Sequence, residues 1–137
     1  MSFKFSERSL GNLLRVHPDL QRVISTALAM GEMDFTVTDG PRTKEEQASL
    51  YAQGRTKPGK IVTWTLDSKH LIQPDGYGYA VDVAPYPIDY EDRSRFIKLV
   101  GIIKRAAIHE GVLIECGADW QKPDLPHIQL VKQWGVA

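Results

Sequence analysis

The sequence holds a single cysteine, Cys116, and therefore cannot close a disulfide within one chain. Its neighbours Leu113 and Ile114 are apolar, which points to a buried, inert thiol rather than a nucleophile, and to synthesis in a reducing cytoplasm. Charge of either sign is not in excess: 17 Lys and Arg balance 17 Asp and Glu. No basic cluster interleaved with aromatics occurs, so nucleic acid is not an expected partner. Nowhere do about 18 uncharged apolar residues run together, and residues 1–8 lack an apolar stretch of signal-peptide length. Neither stable membrane insertion nor unaided export is expected. Repeats, low-complexity tracts and linkers are missing too. What remains, 137 residues of which 42% are hydrophobic and 25% charged, suits one globular domain spanning residues 1–137, with a core large enough to need no disulfide. We expect a monomer.

Hydrophobic spacing supplies the elements. Ser6 reads as the N-cap of a short helix carrying Leu10, Leu13 and Leu14. After His17-Pro18, the residues Leu20, Val23, Ile24, Ala27 and Leu28 recur with helical period up to Gly31, and His17 is taken as a surface or capping residue. Phe35-Thr36-Val37-Thr38 alternates as a half-buried strand, and Asp39-Gly40-Pro41 is a turn. Thr43 and Glu46 form a capping box for a helix running to about Gln53, which fixes Arg42 at a strand-to-helix junction. Residues 55–60 are turn-rich, residues 61–66 are β-prone, and both are placed on the rim of a cleft. Residues 71–78 are too rich in Pro and Gly for regular structure.

Residues 79–84 form a strand whose period of two sends Val81 and Val83 to the core and leaves Asp82 facing out between Ala80 and Ala84. Asp89 is the expected N-cap of a long helix packed through Phe96, Leu99, Val100, Ile103 and Ala107 and stopped at Gly111. His109 sits near its C-terminal end, a structural position. Residues 112–116 are a further strand, and residues 126–130 a last one, with Ile128 and Leu130 inward and His127 and Gln129 sharing the other face. The fold class is α+β: a small, mostly antiparallel sheet packed against helices, with a cleft on its open face.

His70, Asp82 and His127 offer two imidazoles and a carboxylate, a ligand set for a catalytic zinc ion that leaves one position for water. Asp124, three residues before His127, is of the right type to carry a proton from that water to a leaving amine. Arg42 can meet negative charge on a substrate or transition state. No ligand pair has the short helical spacing of zincins, so spacing alone is weak evidence for the site and favours dispersed polar residues.

Ser68-Lys69-His70, Gly78-Tyr79-Ala80-Val81-Asp82 and Asp124-Leu125-Pro126-His127 resemble the serine-x-histidine, glycine-x-alanine-x-aspartate and acid-x-x-histidine signatures of the zinc D-alanyl-D-alanine carboxypeptidase family, which includes L-alanyl-D-glutamate endopeptidases. Gly40-Pro41-Arg42-Thr43 with Gln47, and Gly117-Ala118-Asp119-Trp120, resemble two further motifs of that family. Residues 2–6 and 17–20 look most like its phage endolysin branch. The resemblance implies the compact α+β fold shared with the hedgehog signalling domain. It implies zinc held by His70, Asp82 and His127, Asp124 as general base, and Arg42 on substrate or oxyanion. Gln47, Ser68 and Trp120 would join Arg42 at the substrate, Ser68 by hydrogen bonding. The implied substrate is the peptidoglycan stem peptide. The enzyme would be made in the host cytoplasm and reach the wall through a lesion made by a separate holin. D-alanyl-D-alanine carboxypeptidase activity, or a non-catalytic zinc-containing wall-binding module, are the alternatives. Two departures stand out: residues 71–77 lengthen the segment between the first histidine and the glycine, and an aspartate, Asp124, stands where many relatives have glutamate.

Overall fold

The computed structural model describes residues 3–61 and 69–132; Ser68 and all but the first residue of the β-prone run at 61–66 lie outside the described residues. Helix α1 (Glu7–Leu13) opens at Ser6, whose hydroxyl accepts from the Ser9 amide at 3.1 Å. Its buried face is not the expected leucine stripe. Leu13 is buried, but Leu10 and Leu14 are exposed, and Ser9 takes the inner position because its hydroxyl accepts from the Val37 amide at 3.0 Å. A buried strand amide that lacks a ladder partner is satisfied in this way.

Helix α2 (Pro18–Ala29) starts at His17, whose Nδ1 accepts from the Asp19 amide at 3.1 Å, and buries the full expected stripe from Leu20 to Leu28. Helix α3 (Lys44–Ala52) carries both halves of the Thr43 and Glu46 capping box. Helix α4 (Arg93–Glu110) is capped by Asp92, not by Asp89. The Asp92 carboxylate accepts from the Arg95 amide at 3.3 Å, whereas that of Asp89 is taken up by the Glu91 amide at 3.0 Å in the preceding turn. Two aspartates one turn apart are equivalent as sequence, and the turn decides between them.

The strands β1 (Phe35–Asp39), β2 (Ala80–Pro85), β3 (Ile114–Cys116) and β4 (His127–Leu130) form one antiparallel sheet in the order β1-β2-β4-β3. Strand β3 is shorter than expected because the Val112 amide turns back to the Ala107 carbonyl at 3.0 Å and closes the end of α4. Phe35, Val37, Val81, Val83, Ile128 and Leu130 share one core with the inner faces of α2 and α4. Each such side chain contributes about 1.5–3 kcal/mol on burial, and together they hold β2 and β4 in register. Between Val37 and Asp39 the β1 ladder slips by one residue, so that Val37 faces Val83 while Asp39 faces Asp82. The sheet face opposite the core is less open than its small residues suggested: Ala80, Ala84, His127 and Gln129 are all buried, and Asp82 is half-buried among them.

Residues 71–77 leave and re-enter the fold between two anchored points. Gln73 and Tyr77 close the excursion through a 2.9 Å backbone bond, and the Gly78 amide is pinned to the Arg15 carbonyl at 2.7 Å.

Candidate functional site

Asp82 and His127 are direct cross-strand partners on adjacent β2 and β4, so alternation places both side chains on the same face. His70 reaches them from the turn before β2. Its Nε2 and the Nδ1 of His127 each stand 3.4 Å from Asp82 Oδ1, and one donor atom from each of the three residues lies within 4.8 Å of the others. Both histidines are nearly closed off from solvent, at 2% and 7% exposure.

His70 is gripped through the backbone. The Arg42 amide donates to its carbonyl at 2.6 Å, the Ile72 amide returns to the Arg42 carbonyl at 2.9 Å, and the ring Nδ1 faces the Gly40 carbonyl at 3.0 Å. A carbonyl only accepts, so Nδ1 carries the proton and the neutral ring presents an Nε2 lone pair towards Asp82. Gly40 can occupy this place because it lacks a side chain: a Cβ there would lie 2.0 Å from the Asn12 carbonyl oxygen. On the other strand, His127 Nε2 lies 2.8 Å from Gln129 Oε1, and Gln129 Nε2 donates to Glu115 at 2.8 Å.

Asp82 Oδ1 is buried and finds no hydrogen-bond partner within range among the described residues. Burial acts to raise the Asp82 pKa, but the facing His127 and His70 rings outweigh it and hold the carboxyl below the usual carboxylate range. For His127, burial acts downward and is outweighed by Asp82 and Gln129, so its pKa is raised. Both shifts arise from the same facing of carboxylate and imidazole. With neutral imidazoles, all the facing atoms are acceptors. A buried, orphaned carboxylate oxygen flanked by imidazole nitrogens fits a divalent metal, because such an ion satisfies every one of these lone pairs at once.

Arg42 is held at the edge of this group. Its Nε and Nη2 donate to Asp39 Oδ2 and its Nη1 to Gln47 Oε1 at 3.0 Å. Each terminal nitrogen carries a second proton that these contacts do not use. Gln47 is buried, at 1% exposure, and meets the site through Arg42. Asp124 lies on an exposed loop whose ends are tied back: its amide donates to the Gly117 carbonyl at 2.9 Å, and its carbonyl accepts from the His127 amide at 3.1 Å. Its carboxyl is pushed up, first by desolvation and then by the Asp82 charge, with His127, His70 and Arg42 acting in the opposite sense. Gly117 is where the loop packs down, since a Cβ would sit 2.2 Å from the Asp124 carbonyl oxygen. Trp120 tilts over His127 with ring centroids 5.0 Å apart.

His70, Asp82, His127, Arg42, Asp124, Gln47 and Trp120 thus gather in one region, and Ser68 lies outside the described residues. Cys116 stays apart from the chemistry, 2% exposed with its thiol pushed up by burial to about 11. Asp39, Glu115 and Gln129 were not singled out by motif. Strand alternation had put Gln129 beside His127, and that was the one signal available for it.

Comparisons with known proteins bear on the family and the fold. The family model for phage L-alanyl-D-glutamate peptidase matches residues 1–131. The chain is 35% identical to the L-alanyl-D-glutamate peptidase of Escherichia phage T5 over 126 residues, covering 88% of this chain and 83% of that protein. It is 30% identical to the peptidoglycan L-alanyl-D-glutamate endopeptidase CwlK of Bacillus subtilis, over 85% of this chain and 74% of that one. The crystal structure of the Serratia marcescens L-Ala D-Glu endopeptidase ChiX matches with a TM-score of 0.76 at 33% identity, covering 95% of this chain and 91% of that one. Near-complete coverage, a shared α+β fold and the clustered histidines and aspartates lead to one conclusion: the chain belongs to the phage L-alanyl-D-glutamate peptidase family.

Proposed function

We propose that the chain, as a single catalytic domain, is a zinc peptidase that hydrolyses the bond between L-alanine and D-glutamate in peptidoglycan stem peptides and serves as a phage endolysin. The observation that carries the metal reading is the buried Asp82 Oδ1, without a hydrogen-bond partner among the described residues, set between the nitrogens of His70 and His127. Zinc suits a set of two imidazoles and one carboxylate. When bound, it would supply Lewis acidity for the scissile carbonyl and for a water molecule.

The remaining steps belong to the protein. Asp124 takes a proton from the attacking water at its carboxylate and hands it to the departing amine nitrogen; a carboxyl pushed above its ordinary pKa is suited to both halves of that transfer. The unused protons of Arg42 face developing or resident negative charge, with Asp39 and Gln47 keeping the guanidinium from turning away. Trp120 covers the His127 ring and limits water there. Host lysis by this route requires passage to the wall through a lesion made by a separate holin, from a cytoplasmic pool of monomers. The likeness to the phage T5 peptidase supports that role.

Digestion of purified cell wall, with chelator and then with zinc restored, tests the proposal. New D-glutamate amino termini by mass spectrometry, lost with chelator and regained with zinc, are the expected result. Release of free D-alanine instead would favour the carboxypeptidase alternative, and wall binding without any product would favour a non-catalytic module.

A further inference from the structure

Gln129 is buried on β4, two residues beyond His127, and its cross-strand partner on β3 is Glu115. A carboxylate offers only acceptors, so the 2.8 Å contact to Glu115 must be made by the amide NH2 of Gln129. The amide oxygen is thereby turned the other way, where it lies 2.8 Å from His127 Nε2. That oxygen is also acceptor-only, so Nε2 must carry the proton and the neutral ring keeps its lone pair on Nδ1, the atom 3.4 Å from Asp82 Oδ1. One exposed carboxylate on the edge strand thus decides, through two hydrogen bonds, which nitrogen of a buried imidazole is available. Without Glu115 the Gln129 amide could present either end, and the ring either tautomer.

We propose that Gln129, oriented by Glu115, is a positioning residue that holds His127 in the Nε2–H tautomer and so aims its Nδ1 lone pair at the metal. This rests on the reading of the site as a metal centre, though the tautomer itself does not depend on which bond is cleaved. Partners of this kind typically govern about 10–100-fold in metal affinity.

The test uses the full chain and three readouts. Long-range 15N–1H spectra of the metal-free protein, followed upward in pH until the His127 ring is neutral, report the tautomer. Chelator competition reports zinc affinity, and wall digestion at saturating zinc reports turnover. The wild type should show His127 protonated at Nε2. Gln129→Met, which has no acceptor, should give mixed tautomers and lower zinc affinity by about 10–100-fold. Gln129→Glu keeps an acceptor towards Nε2 and should retain the tautomer. Glu115→Ala, at an exposed position, should loosen the tautomer even if Gln129→Met fails to fold. A wild-type His127 protonated at Nδ1 would overturn the proposal. So would a folded Gln129→Met or Glu115→Ala variant with unchanged tautomer and affinity, whatever its turnover. Failure of the peptidase reading would look different: no cleavage by the wild type, with the tautomer and its dependence on Gln129 intact.

Discussion

The two histidines facing Asp82 are oriented by opposite means. His70 sits in a turn and is fixed by main-chain groups: the Gly40 carbonyl on its ring, and the Arg42 amide on its own carbonyl. His127 sits on a strand inside the sheet and is fixed by side chains, Gln129 and then Glu115. They also use opposite nitrogens, Nε2 for His70 and Nδ1 for His127. A turn offers carbonyls that no ladder has claimed, so it can orient a ring with backbone alone. Inside a sheet the carbonyls are already paired, and orientation must come from neighbouring side chains. The His70 arm is therefore sensitive to packing of the main chain, and the His127 arm to single side-chain changes.

The largest expected effect treats the arms as equal. His70→Ala and His127→Ala should each lose stoichiometric zinc by elemental analysis, and retention of zinc by either variant would remove that residue from the ligand set. Next, Asp124→Ala should keep its zinc but lose about 10²–10⁴-fold in wall cleavage, as expected for loss of a proton carrier. Full activity would sink the role given to Asp124. Gly40→Ala separates the arms: a methyl group against Asn12 should cost about 1–3 kcal/mol of stability in urea unfolding, as overpacking does, and should weaken zinc binding through His70 while leaving the His127 tautomer as it is. A stability unchanged within error would mean the turn yields freely.

The smallest effect lies outside the site. His17 Nδ1 accepts from the Asp19 amide only while neutral, and burial, followed by Lys132, holds its pKa below the ordinary 6.5. The unfolded chain then binds this proton more readily. The contribution is complete above pH 6.5 and is lost as pH falls through the lower folded value. In metal-free protein, His17→Asn should lessen the drop in urea midpoint between pH 7.5 and the acid side of that window, chosen as about pH 5.5. An identical drop would show that His17 carries none of it.

Much of this was legible in the sequence where one period governs a residue's fate. The stripes of α2 and α4 and the Thr43 box needed only local spacing, and alternation put Asp82 and His127 on a common face. Residues whose role depends on a distant partner were not legible. Ser9 replaced a leucine at the buried face of α1 because of an amide on β1, and Glu115 gained meaning only from the pairing of β3 with β4. The long segment after His70 gave no hint that Gln73 and Tyr77 would close it locally.

The slipped register in β1 has its own consequence. From Val37 to Asp39 the strand advances two residues while β2 advances one, so Thr38 is supernumerary and Asp39 changes sides. Kept in phase, Asp39 would follow Val37 into the hydrocarbon interior and Arg42 would lose its counterion. Thr38 is the residue that lets Val37 and Asp39, two apart in sequence, face opposite sides, an instance where a flaw in periodicity is the informative part of the pattern.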